Sequence, residues 1–81
     1  MDAKAIGARL KALREAKGQT KRYVARQTGC SYNSVCSYEY ALRVPGDDAK
    51  VKLAKHFGVS VEEIFFADDI TKRGKDAAKG D

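Results

Sequence analysis

Proline and histidine each occur once in this chain of 81 residues, cysteine twice and tryptophan not at all. The scarcities close off whole classes of protein. Two thiols and one imidazole, His56, fall short of the four ligands that a structural zinc site needs, so no metal is expected. An internal disulfide is not expected either, because Cys30 and Cys36 on or beside one helix would stand about 9 Å apart along its axis. No apolar run reaches about 18 residues, and the start MDAKAIGARLK lacks the apolar core of a signal segment. The expectation is a cytoplasmic protein without membrane contact. No nucleophile has a base at usable spacing, and no second domain to hold an effector is expected. The chain is therefore read as non-enzymatic, without a cofactor or small-molecule site.

Positive charge is plentiful and unevenly placed. The formal net charge is +5, and residues 1–45 carry all of that surplus and slightly more, including Lys21, Arg22, Arg26 and Arg43. Residues 46–67 are marginally acidic and residues 68–81 are balanced. A basic half points to a polyanionic partner.

The pattern along the chain is helical throughout. Ile6, Leu10 and Leu13 form one buried stripe of a first helix over residues 3–17, closed by Gly18. Thr20 caps a short second helix over 21–28, with Val24 and Ala25 inward and Gly29 at its end. Ser31 caps a third helix running to Tyr40, whose inner face is expected to hold Val35, Tyr38 and Leu42. Pro45 then breaks the chain. Asp47 and Asp48 favour the start of a fourth helix with Val51, Leu53, Ala54 and Phe57 on its apolar side, ended by Gly58. Ser60 and Glu63 form a capping box that opens a fifth helix with Ile64 and Phe65. The expected organisation is one all-α domain over residues 1–67 and a flexible charged tail over 68–81.

Two short helices meeting across Gly29-Cys30-Ser31 make a helix-turn-helix. The segments LKALREAKGQT, YVARQTGCS, VCSYE and AKHFGVSVEEIFF together resemble the Cro and lambda-repressor class, the xenobiotic-response-element family of bacterial and phage DNA-binding domains. The block RVPGDDAKVKLAKHFGVSVEEIFF is similar to short regulators of phages and mobile elements. This resemblance implies a five-helix lambda-repressor-like fold with helices 2 and 3 as the helix-turn-helix. It implies a sequence-specific regulator, a repressor, bound to double-stranded DNA as a homodimer on a palindromic operator.

Carried over by position, the resemblance assigns base contacts to Tyr32, Asn33 and Ser37, with Ser31 and Ser34 at the margin. Asparagine can bond adenine at two points, while serine and tyrosine offer single hydroxyls. Phosphate contacts fall on Thr20, Lys21, Arg22, Tyr40 and Arg43. Arg14 and Glu39 are expected to form a structural ion pair. Lys21 stands where the family commonly has glutamine, so a brace on the reading helix is expected to give way to a phosphate charge. Ala41 stands where glycine is usual, which implies either a strained alanine or a different loop. His56 is assigned to the surface of the fourth helix. The alternative function on the same fold is a protein-interaction module, an antitoxin or antirepressor partner, with Ile64, Phe65 and Phe66 as its contact patch.

Overall fold

Each of four interhelical turns holds one residue at positive φ: Gly18, Gly29, Ala41 and Gly58. These turns separate the five helices of the computed structural model, which describes residues 2–66. Helix α1 spans Ala3–Ala16, α2 Lys21–Thr28, α3 Tyr32–Glu39, α4 Asp47–Phe57 and α5 Val61–Phe65. No strand occurs among the described residues. The expected tail over 68–81 lies outside them.

Local chemistry accounts for the helix ends. Asp2, Thr20, Ser31 and Ser60 each accept a backbone N–H of the first turn through a side-chain oxygen. Ser60 and Glu63 exchange two such bonds, at 3.1 and 3.0 Å, as the capping box requires. At the C-terminal ends of α1 to α4 the chain winds into the left-handed turn that satisfies the last carbonyls. Past α3, for example, Leu42 N–H bonds Ser37 O and Ala41 N–H bonds Tyr38 O, the paired bonds of a Schellman motif. Ala41 occupies its left-handed position at φ 63°, so the loop keeps the glycine geometry without the glycine.

The core is built from Ile6 and Leu10 of α1, Val24 and Ala25 of α2, Val35 and Tyr38 of α3, Leu53, Ala54 and Phe57 of α4, and Ile64 and Phe65 of α5. Three expectations about it are corrected. Leu42 is 74% exposed, because it lies beyond the end of α3 where helical spacing no longer places it. Val51 is 48% exposed, and the inward position on that turn goes to Lys50, whose ammonium lies 5.2 Å from the Phe66 ring centre. Ile64 and Phe65 are buried, so they are core and not a contact patch; only Phe66 of that trio is partly exposed.

Helix α1 sits unusually close to the end of α3. A Cβ on Gly7 would lie 2.7 Å from the carbonyl oxygens of both Tyr38 and Glu39. Farther along, Arg14 reaches Glu39 from the same helix, and Arg9 Nη1 donates to Ile64 O at 2.9 Å. Helix α1 therefore ties α3 and α5 into one body.

Candidate nucleic-acid interface

Burial divides α3 cleanly. Val35 and Tyr38 face the core, Tyr32 and Asn33 are exposed, and Ser34, Cys36 and Ser37 are half-buried. Asn33 and Ser37 fall one turn apart, so they share the outward face. Tyr40, at the C-cap, is 63% exposed. The helix thus presents a polar, hydrogen-bonding surface while its apolar side anchors it.

The turn leading into α3 is held from below. Thr28 is buried and its hydroxyl donates to Val24 O at 2.7 Å, then accepts from Cys30 N at 3.3 Å. Gly29 follows at φ 79°. Cys30 and Cys36 are both free thiols and half-buried. Ser31 accepts from Ser34 N at 3.0 Å.

Cationic side chains lie on both flanks of α3. Arg22 sits with its guanidinium 4.9 Å from the Tyr32 ring centre. Lys21 donates to the Tyr40 hydroxyl at 3.0 Å and lies 4.7 Å from that ring. This hydrogen bond holds the Lys21 pKa above its usual value. The expectation that Lys21 abandons a bracing role is corrected: it joins the start of α2 to the end of α3. Arg43 donates through Nη2 to Ser34 Oγ at 3.2 Å. Thr20 uses its hydroxyl oxygen as the α2 cap.

Beneath this surface runs a chain of polar contacts. Arg14 binds the Glu39 carboxylate through two nitrogens and also donates from Nη1 to Gln19 O at 2.9 Å. The Gln19 side chain in turn meets His56 Nε2 at 2.8 Å. His56 is therefore no plain surface residue. Its ring lies edge-on to Phe57 at 4.8 Å and tilted to Tyr23 at 6.1 Å, and burial, with Lys17 nearby, lowers its pKa.

Residues 5–64 match the family described as helix-turn-helix domain. The chain belongs to that family. This helix-turn-helix domain is 29% identical over 70 residues to the HTH-type transcriptional regulator ImmR of Bacillus subtilis, covering 86% of this chain and 55% of that protein. It thus spans about half the length of that relative. The restriction-modification controller protein C.AhdI from Aeromonas hydrophila superposes with a TM-score of 0.75 at 30% identity, covering 79% of this chain and 97% of that one. The clp gene regulator ClgR from Corynebacterium glutamicum superposes with a TM-score of 0.74 over 98% of this chain and 88% of its own. At 20% identity that likeness shows the fold alone.

Proposed function

We propose that this protein is a sequence-specific DNA-binding transcriptional regulator, a repressor acting in the cytoplasm. The observation that carries the reading is α3 itself: an anchored helix with Asn33, Ser37 and Tyr40 directed outward and Lys21, Arg22 and Arg43 on its flanks. An α-helix fits the major groove of B-DNA, and flanking cations complement the phosphates on either side. Similarity to ImmR and C.AhdI, whose names describe a regulator and a controller, supports it. Among the described residues no helix is long and apolar enough to cross a membrane.

Base contacts are assigned to Tyr32, Asn33 and Ser37, with Ser31 and Ser34 at the margin. Thr20, Lys21, Arg22 and Tyr40 are assigned to phosphates, and Arg43, which the resemblance places with them, lies along α3 against Ser34. The active form is a homodimer whose reading helices enter major grooves about 34 Å apart on a palindromic site. Exposed Leu42, Val44 and Val51 supply apolar surface for such an association. The interaction-module alternative loses support, because Ile64 and Phe65 are buried.

Selection of binding sites from a random DNA pool, followed by affinity measurements across salt concentrations, tests the reading. A palindromic consensus and a log K against log salt slope of about −5 to −7 are expected if a dimer neutralises about six to eight phosphates. A slope near zero, or no enrichment of any sequence, would reject it.

A further inference from the structure

The family resemblance assigns Arg43 to a phosphate, but the fold returns it to the side of the reading helix. After the left-handed Ala41, Leu42 N–H and Arg43 N–H both donate to Ser37 O, at 2.8 and 3.3 Å. The backbone of Arg43 therefore lies beside the last turn of α3, at its C-terminal end. From there the side chain runs toward the start of the helix. Its guanidinium passes 5.6 Å from the Tyr38 ring centre, and Nη2 donates to Ser34 Oγ at 3.2 Å. Ser34 Oγ also receives the Ser31 hydroxyl at 2.9 Å, which leaves its own proton for a partner outside the protein.

We propose that Arg43 reads a guanine through the N7 and O6 edge in the major groove, with Ser34 as the positioning residue that holds its guanidinium in line. The proposal rests on the reading of α3 as the recognition helix. A phosphate anchor belongs at the rim of the groove, whereas a guanidinium laid along α3 travels into the groove with it. One N–H is used on Ser34, and four remain on a planar fork. That fork matches the two acceptors guanine presents, a match that the point charge of lysine lacks. Holding the side chain between Ser34 and Tyr38 before DNA arrives also reduces the rotamer entropy given up on binding.

The test uses the full chain and the site it selects from a random pool, with wild type, Arg43→Ala, Arg43→Lys and Ser34→Ala measured on that duplex and on its single-base variants. Arg43→Ala should lose about 10- to 100-fold on the selected site and lose its preference at one G·C pair per half-site. Arg43→Lys should keep the salt slope without regaining that preference. Replacing that guanine by 7-deazaguanine, which removes N7, should weaken wild type and leave Arg43→Ala unaffected. Ser34→Ala should weaken preference at the same pair by about fivefold. Thermal melting of each variant separates these losses from unfolding, and exposed Arg43 should leave the melting temperature in place. Equal weakening of all sequences with a shallower salt slope would return Arg43 to the phosphates and overturn the proposal. Indifference of wild type to 7-deazaguanine would overturn it as well. Failure of wild type to select any site would remove the recognition-helix reading and this proposal together.

Discussion

Arg14 donates from Nε to one carboxylate oxygen of Glu39 at 2.7 Å and from Nη2 to the other at 3.1 Å. The side chains are 12% and 3% exposed, so the pair sits largely out of water where α1 meets the last residue of α3. Its role is positional more than energetic. Desolvation offsets most of the attraction in such a pair, while loss of one partner strands the other charge. Arg14→Ala or Glu39→Ala should each cost about 3 to 5 kcal/mol, measured by urea unfolding. Arg14→Met combined with Glu39→Met should recover much of that loss, and a double variant as unstable as the singles would count against the stranded-charge account.

Gly7 should be intolerant of the smallest side chain. Alanine is a better helix former by about 1 kcal/mol, so propensity alone favours Gly7→Ala. The new methyl would stand 2.7 Å from the Tyr38 and Glu39 carbonyls, and a backbone contact cannot yield as a flexible side chain does. Overpacking of about 1 to 3 kcal/mol should win, and the displaced end of α3 should weaken DNA binding beyond what unfolding explains. Chemical denaturation and affinity at a temperature where the variant is folded check the two parts.

The helix ends were legible in the sequence because their signals are local. Thr20, Ser31 and Ser60 cap by bonding to their own first turns, and Gly18, Gly29 and Gly58 take positive φ beside the helices they close. The pairing of Arg14 with Glu39 came through family resemblance, since nothing local joins residues on α1 and α3. Periodicity failed where its premise did. Leu42 stands past the last turn of α3, and Val51 yields the inward position to Lys50, whose stem packs beneath a charged end. The close approach at Gly7 has no sequence sign of its own, since a lone glycine in a helical run is tolerated for more than one reason, and only the fold shows the α3 carbonyls beside it. The joining of Lys21 to Tyr40, of His56 to Gln19 and of Arg43 to Ser34 depends on how helices and loops meet in space.

Ala41 offers a stabilising change. Its φ of 63° places a Cβ in a conformation that L residues disfavour, within a Schellman turn whose hydrogen bonds are already made. Ala41→Gly should raise stability by up to about 1 kcal/mol, glycine's greater freedom in the unfolded chain removing part of the gain. An unchanged or lower urea midpoint would show that the strain is relieved elsewhere.

Acid should loosen the domain through His56. Burial, and then the charge of Lys17, hold its folded pKa below the ordinary value. Between the folded and unfolded pKa values the unfolded chain binds more protons, so stability falls as pH drops below about 6.5. Below the folded pKa the full penalty is present. His56→Gln should remove this slope while leaving a hydrogen-bonding group near Gln19, as read from melting temperature between pH 7.5 and 5, about the range in which histidine titrates. An identical slope in the variant would assign the acid sensitivity to carboxylates instead.

Asn33 and Lys21 should fail in opposite ways. Asn33 lies exposed in the first turn of α3, and its amide can contact one adenine at two points, with Ser37 a turn along on the same face. Asn33→Ala should cost about 1 to 3 kcal/mol on the selected site and relax preference at one base pair per half-site, leaving non-specific affinity and the salt slope in place. Lys21 stands at the start of α2, where its charge is held beside Tyr40 and its geometry carries no base pattern. Lys21→Ala should weaken all sequences alike and flatten the salt slope by about one unit for each phosphate no longer neutralised. Tyr40→Phe removes the hydroxyl that Lys21 bonds and that is assigned to a phosphate while leaving the lysine charge, so it should lower affinity without flattening the salt slope. Affinities of the three variants for the selected duplex and its single-base variants decide the matter. Uniform weakening by Asn33→Ala would mean that α3 does not read bases through this residue, and the assignments of Tyr32 and Ser37 would fall with it.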